Sequence, residues 1–74
     1  MEKSDIKKYR VQVGMMLKLA REAQGWSVDQ VATMADVKPV TIEKIEVGVF
    51  NVPLDVLARV ANVLDSELVI KSKK

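Results

Sequence analysis

Glycine, proline and helix-capping residues divide this chain into short segments at regular intervals. These helix start and stop signals constrain the fold more strongly than any other feature of the sequence. Gly25 and Gly48 follow segments in which apolar residues recur at three- and four-residue steps, the pattern of amphipathic helices that end at glycine. Pro39 and Pro53 suit the first turn of a helix, where the missing N–H loses no hydrogen bond. The sequence therefore predicts one small domain of four or five short helices.

The second predicted helix has both a start signal and a stop signal. Ser27 and Gln30 form the S-x-x-Q pattern of a capping box, and the helix is predicted to run to about Ala35. Asp36 follows, and aspartate is among the few residue types other than glycine that tolerate a left-handed turn. Within the first helix, Gly14 either allows close packing or marks a later start of the helix.

The apolar positions predict which side chains form the core. Trp26 is predicted to fill the core between the first two helices, and Met15 and Met34 are expected to fill gaps in it. Val47, Val49 and Phe50 form an apolar cluster that either packs under its own loop or contacts a protein partner. The inward-facing residues are predicted to be Ile6, Tyr9, Val13, Met16, Leu17, Ala20, Val31, Ala32, Ala35, Ile42 and Ile45.

The fourth predicted helix is unusually apolar, because eight of the eleven residues at 54–64 are hydrophobic. One of its faces should serve the core, whereas a second stripe of Val56, Val60 and Val63 predicts contact with a second subunit. Leu68 and Ile70 then alternate within SELVIKS, residues 66–72, which predicts a short strand. This strand either pairs with its copy across a dimer or packs on its own subunit.

Several classes of function are disfavoured by composition. The chain contains no Cys and no His, so it has no disulfide, no thiolate or imidazole metal ligand and neither common catalytic triad. We therefore expect no enzyme activity, no catalytic or metal-binding residue and no cofactor. No apolar run approaches the roughly 20 residues of a membrane helix, and no secretory signal is evident. The expectation is a soluble cytoplasmic protein without a membrane partner.

Charge is distributed unevenly along the chain, whose formal net charge is +2. Residues 1–10 carry +2 and residues 71–74 carry +3, whereas five basic and eight acidic side chains give residues 11–70 a charge of −3. We interpret residues 1–74 as one domain with its core at 11–65. Residues 1–10 form a basic arm or an extension of the first helix, and residues 66–74 form the strand and a basic tail. Either basic end could track DNA phosphates.

Residues 11–65 resemble the Cro/C1-type helix-turn-helix, or XRE, family of DNA-binding repressors. The resemblance is carried by LxxxR at residues 17–21, GxS at 25–27 and TIxKIExG at 41–48, together with the apolar rhythm of the fourth helix. SELVIKS is similar to the C-terminal dimerisation strand of some antitoxin-like members. The resemblance implies an all-α fold, a small four- to five-helix lambda repressor-like domain with a short C-terminal β-strand.

This resemblance also implies which residues meet DNA, because the third helix of the family lies in the major groove. Lys44 can reach guanine O6 and N7 or a phosphate, Val40 can touch a thymine methyl group, and Thr41 suits a phosphate. Arg21 and Glu46 match the family's structural ion pair. The implied DNA-binding residues are Ser27, Val28, Lys38, Pro39, Val40, Thr41, Lys44 and Asn51.

Some positions depart from the family pattern and weaken the expected phosphate contacts. Val28 replaces a frequent Gln, Asp36 replaces the usual turn Gly, Val49 replaces a frequent Lys or Arg, and Glu43 is acidic. The leading hypothesis is a transcriptional repressor that binds an inverted-repeat operator in double-stranded DNA as a homodimer. The alternative is a protein-interaction module, such as an antitoxin that holds a toxin, with secondary DNA binding. The acidic middle of the chain motivates this alternative.

Overall fold

Four α-helices form the fold of residues 3–67, which are the residues described by the computed structural model. The helices are α1 (Lys3–Gln24), α2 (Val28–Ala35), α3 (Pro39–Glu46) and α4 (Leu54–Val63). The predicted all-α class is confirmed. The predicted strand residues Leu68 and Ile70, and the basic tail at 71–74, lie outside the described residues. Because α1 already begins at Lys3, the basic residues that follow extend the first helix rather than form a separate arm.

Local hydrogen bonds fix both ends of α2, with a capping box at its start and a left-handed residue in the turn that leads to α3. The Gln30 N–H donates to Ser27 Oγ at 3.1 Å, and the Ser27 N–H donates to Gln30 Oε1 at 2.7 Å. Asp36 adopts φ 57° and ψ 49°, and the Val37 N–H then donates to the Ala32 carbonyl at 2.9 Å. The capping box and the left-handed turn predicted from the sequence are therefore confirmed, and α3 starts only four residues after α2 ends.

The core lies where α2 and α3 pack on each other and are covered by α1 and α4. Trp26 is half-buried against this core, as predicted. Phe50 is buried under the loop that follows α3, whereas Val47 and Val49 are exposed. The buried apolar residues are Leu17, Val31, Ala32, Ala35, Ile42, Ile45, Phe50, Val60, Ala61 and Leu64.

The predicted intersubunit stripe on α4 is wrong at Val60, whose relative exposure within the single chain is 1 %. Val56 and Val63 are half-buried, and Val63 packs against the core. The reason is that α4 packs the centre of its apolar surface against α2, so Val60 belongs to the core of its own chain. Pro53 lies at the N-cap of α4, one residue before the helix.

The predicted burial of the methionines is also wrong, because Met15, Met16 and Met34 are 57 %, 69 % and 47 % exposed. Ile6 and Tyr9 are exposed as well. The hydrophobic periodicity of α1 predicts a buried face that is rotated about the helix axis, by about one residue position, from the face that the structure buries. The true face contains Gly14, which has no side chain and therefore does not contribute to a hydrophobic pattern.

Gly14 is buried where α1 crosses the end of α3. A Cβ atom at this position would overlap the Ile45 carbonyl oxygen and would lie 3.2 Å from the Glu46 carbonyl oxygen. Gly48, whose φ is +79°, packs equally closely against Val11. A Cβ atom added at Gly48 would lie 2.8 Å from the Val11 Cα. The two helices therefore touch backbone to backbone, and Gly14 allows close packing rather than marking a later helix start.

Gly14→Ala tests this crossing because two effects of opposite sign compete. Alanine is a better helix former than glycine by up to about 1 kcal/mol, whereas overfilling a tight site costs about 1–3 kcal/mol. Since the obstacle is backbone, we expect the free energy of unfolding to fall by about 1–2 kcal/mol in urea denaturation. Gln24→Ala, at the exposed last residue of α1, is the control and should change stability by less than about 0.5 kcal/mol. A stabilised Gly14→Ala variant would contradict the crossing.

Candidate nucleic-acid interface

α3 is anchored by two side chains and exposes most of the others. Ile42 and Ile45 are buried in the core. Pro39 occupies the first turn, and Lys38 is the N-cap residue, with extended backbone and no capping hydrogen bond from its side chain. Lys38, Pro39, Val40 and Lys44 are exposed, and Thr41 is half-buried. The anchored helix therefore presents one mixed surface to solvent.

A depression of about 290 Å³ lies between α3 and the loop that follows it. Thr41, Lys44 and Asn51 line this depression, so the structure brings three of the predicted DNA-binding residues together. Val49 also lines it, although the sequence analysis named Val49 only as a departure from the family pattern. The Val49 N–H donates to the Lys44 carbonyl at 3.0 Å, which fixes the loop against the end of α3.

The other predicted contacts lie at the two helix starts. Ser27 is exposed at the N-cap of α2, and its hydroxyl oxygen accepts the Gln30 N–H, so the hydroxyl proton remains available to donate. Val28 is half-buried and packs against the core, so we assign it to packing rather than to DNA contact. Its apolar side chain cannot replace the hydrogen bonds of the Gln that is common at this position.

The surface around α3 is close to electrically neutral. Lys38 and Lys44 supply two positive charges, and the exposed carboxylates of Asp36 and Glu43 supply two negative ones. Phosphate contacts give nucleic-acid binding its strong and unspecific component. A surface with balanced charge therefore has to gain more of its affinity from contacts to base edges than from contacts to phosphates.

One ion pair fixes the end of α3 relative to α1. Arg21 donates from Nε to Glu46 Oε2 at 2.6 Å and from Nη2 to Glu46 Oε1 at 3.0 Å. Arg21 also donates from Nη1 to the Trp26 carbonyl at 2.8 Å. The side chains are only 13 % and 9 % exposed, and each charge meets an opposite charge at close range. The predicted Arg21–Glu46 pair thus links α1, the first loop and α3.

The hydrogen bonds to Glu46 raise the pKa of the Arg21 guanidinium above its usual value, against an opposing effect of burial. A raised pKa in the folded state adds stability at every pH below the value for the unfolded chain. That stability is lost only as the pH rises through the folded value, and both values lie far above neutral. Arg21 therefore stays charged, and its titration introduces no change in stability near neutral pH.

Comparison with protein families agrees with this geometry, because a helix-turn-helix family model matches residues 17–70. The chain belongs to the Cro/C1-type helix-turn-helix family. Searches of curated proteins and of solved structures gave no match. In this family α2 and α3 form the helix-turn-helix unit, and α3 is the recognition helix. The domain is thus a DNA-binding regulatory domain. Within residues 3–67, none of the helices has the length and apolar character needed to span a bilayer.

A double-mutant cycle tests how firmly the ion pair holds this helix-turn-helix domain together. Glu46→Ala leaves a nearly buried guanidinium without its partner and should lower the free energy of unfolding by about 3 kcal/mol. Combining it with Arg21→Met should cost much less than the sum of the two single changes, with a coupling energy of about 1–3 kcal/mol.

The control cycle uses Asp55 and Arg59, two oppositely charged residues at exposed positions four residues apart on α4. Replacing both with Ala should give a coupling energy below about 0.5 kcal/mol, because solvent screens exposed charges. Additive effects at Arg21 and Glu46, with both variants folded by circular dichroism, would show that the pair does not hold α1 to α3.

Proposed function

We propose that this helix-turn-helix domain is a sequence-specific transcriptional repressor that binds DNA as a homodimer in the cytoplasm. The observation that carries the proposal is the depression beside α3, where Thr41, Lys44 and Asn51 converge. A cation, a hydroxyl and an amide in one shallow site supply three different hydrogen-bonding groups. Such a set can distinguish base edges, whereas a basic surface alone reads only phosphates.

Each exposed side chain has a role that its chemistry supports. Lys44 donates to guanine O6 and N7, and Asn51 has the amide that can pair with adenine N6 and N7. Val40 is apolar and exposed on the same helix, so it suits a thymine methyl group. Lys38 and the Ser27 hydroxyl lie at helix starts, where backbone N–H groups already attract phosphate.

The near-neutral surface of α3 is the reason for proposing two copies rather than one. A single domain that makes few phosphate contacts gains little affinity from counterion release. Two domains related by a two-fold axis would place recognition helices in successive major grooves, about 34 Å apart. The corresponding operator is an inverted repeat. Occupying such a site at a promoter is enough to block transcription by excluding the polymerase.

A second candidate function rests on the exposed apolar residues beside α3. Val47 and Val49 are 65 % and 64 % exposed, and Val49 stands where the family often carries Lys or Arg. Apolar residues there suit a protein partner, as in an antitoxin that holds a toxin. This alternative predicts that a partner binds more tightly than DNA does, and that Val47→Ser, which lies outside the depression beside α3, weakens that binding without affecting DNA.

Selecting duplexes from a random pool, followed by fluorescence anisotropy in a salt titration, tests the proposal. The enriched site should be an inverted repeat with half-sites about 10 base pairs apart. Lys44→Ala should lose about 1–3 kcal/mol of discrimination at one base position. Lys38→Ala should instead weaken binding to all sequences alike and reduce the logarithmic salt slope by about 0.9.

Arg59→Ala is the charge-matched control, because Arg59 is exposed on α4 rather than on α3. It should leave both the preferred sequence and the salt slope unchanged. The proposal fails if no sequence is enriched, or if Lys44→Ala binds the selected site and a scrambled duplex as the unmodified protein does.

A further inference from the structure

The outward side of α1 carries an apolar surface that no other described part of the chain covers. Gly14, Leu17 and Arg21 face the rest of the domain. On the opposite side, Met15 and Leu19 are 57 % and 58 % exposed. A surface helix normally turns charged and polar residues to this side. Exposed apolar surface on a small monomer indicates a contact with another molecule.

The exposed residues of α1 follow the spacing of a helix-pairing seam. Lys8, Gln12, Met15, Leu19 and Glu22 are separated by steps of four, three, four and three, and all five are exposed. Such alternating steps keep one narrow stripe on one side of a helix, which is how paired helices meet. The stripe is apolar at its centre and charged at both ends. We call these five residues the α1 seam.

We infer that the α1 seam binds the α1 seam of a second copy of this chain, with the two helices antiparallel. The sequence of the seam is self-complementary about Met15, because Lys8 lies seven residues before it and Glu22 seven residues after it. In an antiparallel pair centred on Met15, Lys8 of each copy lies opposite Glu22 of the other copy. Leu19, four residues after Met15, then lies opposite Val11, four residues before it, and the two Met15 side chains meet at the two-fold axis.

Charge selects this direction over the parallel one. A parallel pair would place Lys8 against Lys8 and Glu22 against Glu22, and like charges at an interface are repulsive. The antiparallel pair turns both repulsions into attractions. A two-fold interface brings the same surface of both copies together. One seam with opposite charges at its two ends therefore makes the same attractive contact twice.

The length of α1 allows an extended contact. α1 has 22 residues and is therefore about 33 Å long, comparable with the 36 Å longest dimension of the molecule. Met16 flanks the seam and is 69 % exposed, which widens the apolar centre. Methionine is enriched at protein interfaces and adapts its shape to its neighbours. By contrast, α4 has already buried Val60 within its own subunit.

This inference rests on the proposed function in one respect, which is that the protein acts as a dimer. It adds the surface through which the copies meet, and that surface lies on α1 rather than on α4. A two-fold axis through paired α1 helices gives the symmetry that an inverted-repeat operator requires.

Sedimentation velocity on the full chain, across a range of concentrations and without DNA, tests the seam. We expect the unmodified protein to be a dimer at micromolar concentration. Met15→Glu should weaken dimerisation at least tenfold, because it places two like charges at the two-fold axis. Met34→Glu is the matched control, since it makes the same change at an exposed methionine on α2, and it should remain dimeric.

A charge exchange tests the antiparallel register itself. Lys8→Glu and Glu22→Lys should each weaken dimerisation, because each places like charges opposite one another. The double variant restores opposite charges and should recover most of the lost affinity. Circular dichroism and thermal unfolding confirm that each variant is folded, as expected for changes at exposed positions.

The inference is overturned if the unmodified protein remains a monomer, if Met15→Glu stays fully dimeric, or if the double charge exchange restores nothing. It is also overturned if Val56→Glu on α4 dissociates the dimer while Met15→Glu does not. DNA binding is measured separately, by anisotropy on the selected site. A dimer through α1 that enriches no sequence would refute the repressor proposal alone, and a dimer that survives Met15→Glu and still enriches an inverted repeat would refute the seam alone.

Discussion

The close approach of α1 to the end of α3 is the contact on which the rest of this domain depends. Because Gly14 has no side chain, the α1 backbone reaches the Ile45 carbonyl directly. That approach brings Arg21 within reach of Glu46, and the pair then holds the end of α3. The loop after α3 starts from this fixed point. The positions of Val49 and Asn51 therefore depend on the close packing at Gly14 of α1. The recognition surface is therefore set by packing on its far side.

The balance of charge on α3 has consequences for how the domain finds DNA. A strongly basic domain binds any duplex and slides along it, and its affinity falls steeply with salt. The neutral surface of α3 reduces that unspecific binding, and with it the competition from the many wrong sites in a genome. Its affinity at one site has to come from base contacts and, in the proposed homodimer, from the second subunit. An acidic middle of the chain is thus compatible with a DNA-binding domain that favours selectivity over tight binding.

Much of the fold could be predicted from local signals, because those signals act over a few residues. Ser27 and Gln30 predict the start of α2, Asp36 predicts its end, and Gly25 predicts the end of α1, as the structure confirms. The family motifs predict the Arg21–Glu46 pair. What could not be predicted is how the helices rotate about their axes, since rotation depends on contacts between segments distant in sequence.

Two errors follow from that limit. The burial of Val60 and the exposure of Met15 and Met16 both reflect helix rotation, and neither changes the number or the order of the helices. At the candidate site, Thr41, Lys44 and Asn51 could be named from the family pattern, but their convergence in one depression depends on the path of the loop. Val49 joins them there through a backbone hydrogen bond, which is independent of side-chain identity.

Trp26 gives this small domain a fluorescent reporter in the loop between α1 and α2, next to the Arg21–Glu46 pair. It is the only tryptophan in the sequence, its side chain is half-buried against the core, and its carbonyl accepts a hydrogen bond from Arg21. Any event that breaks the hydrogen bond from Arg21 or loosens the core around Trp26 would change the surroundings of this indole. The intrinsic fluorescence of the protein therefore follows the integrity of the helix junction without an added label. The same signal would register whether binding at the recognition surface tightens or loosens the opposite side of the domain.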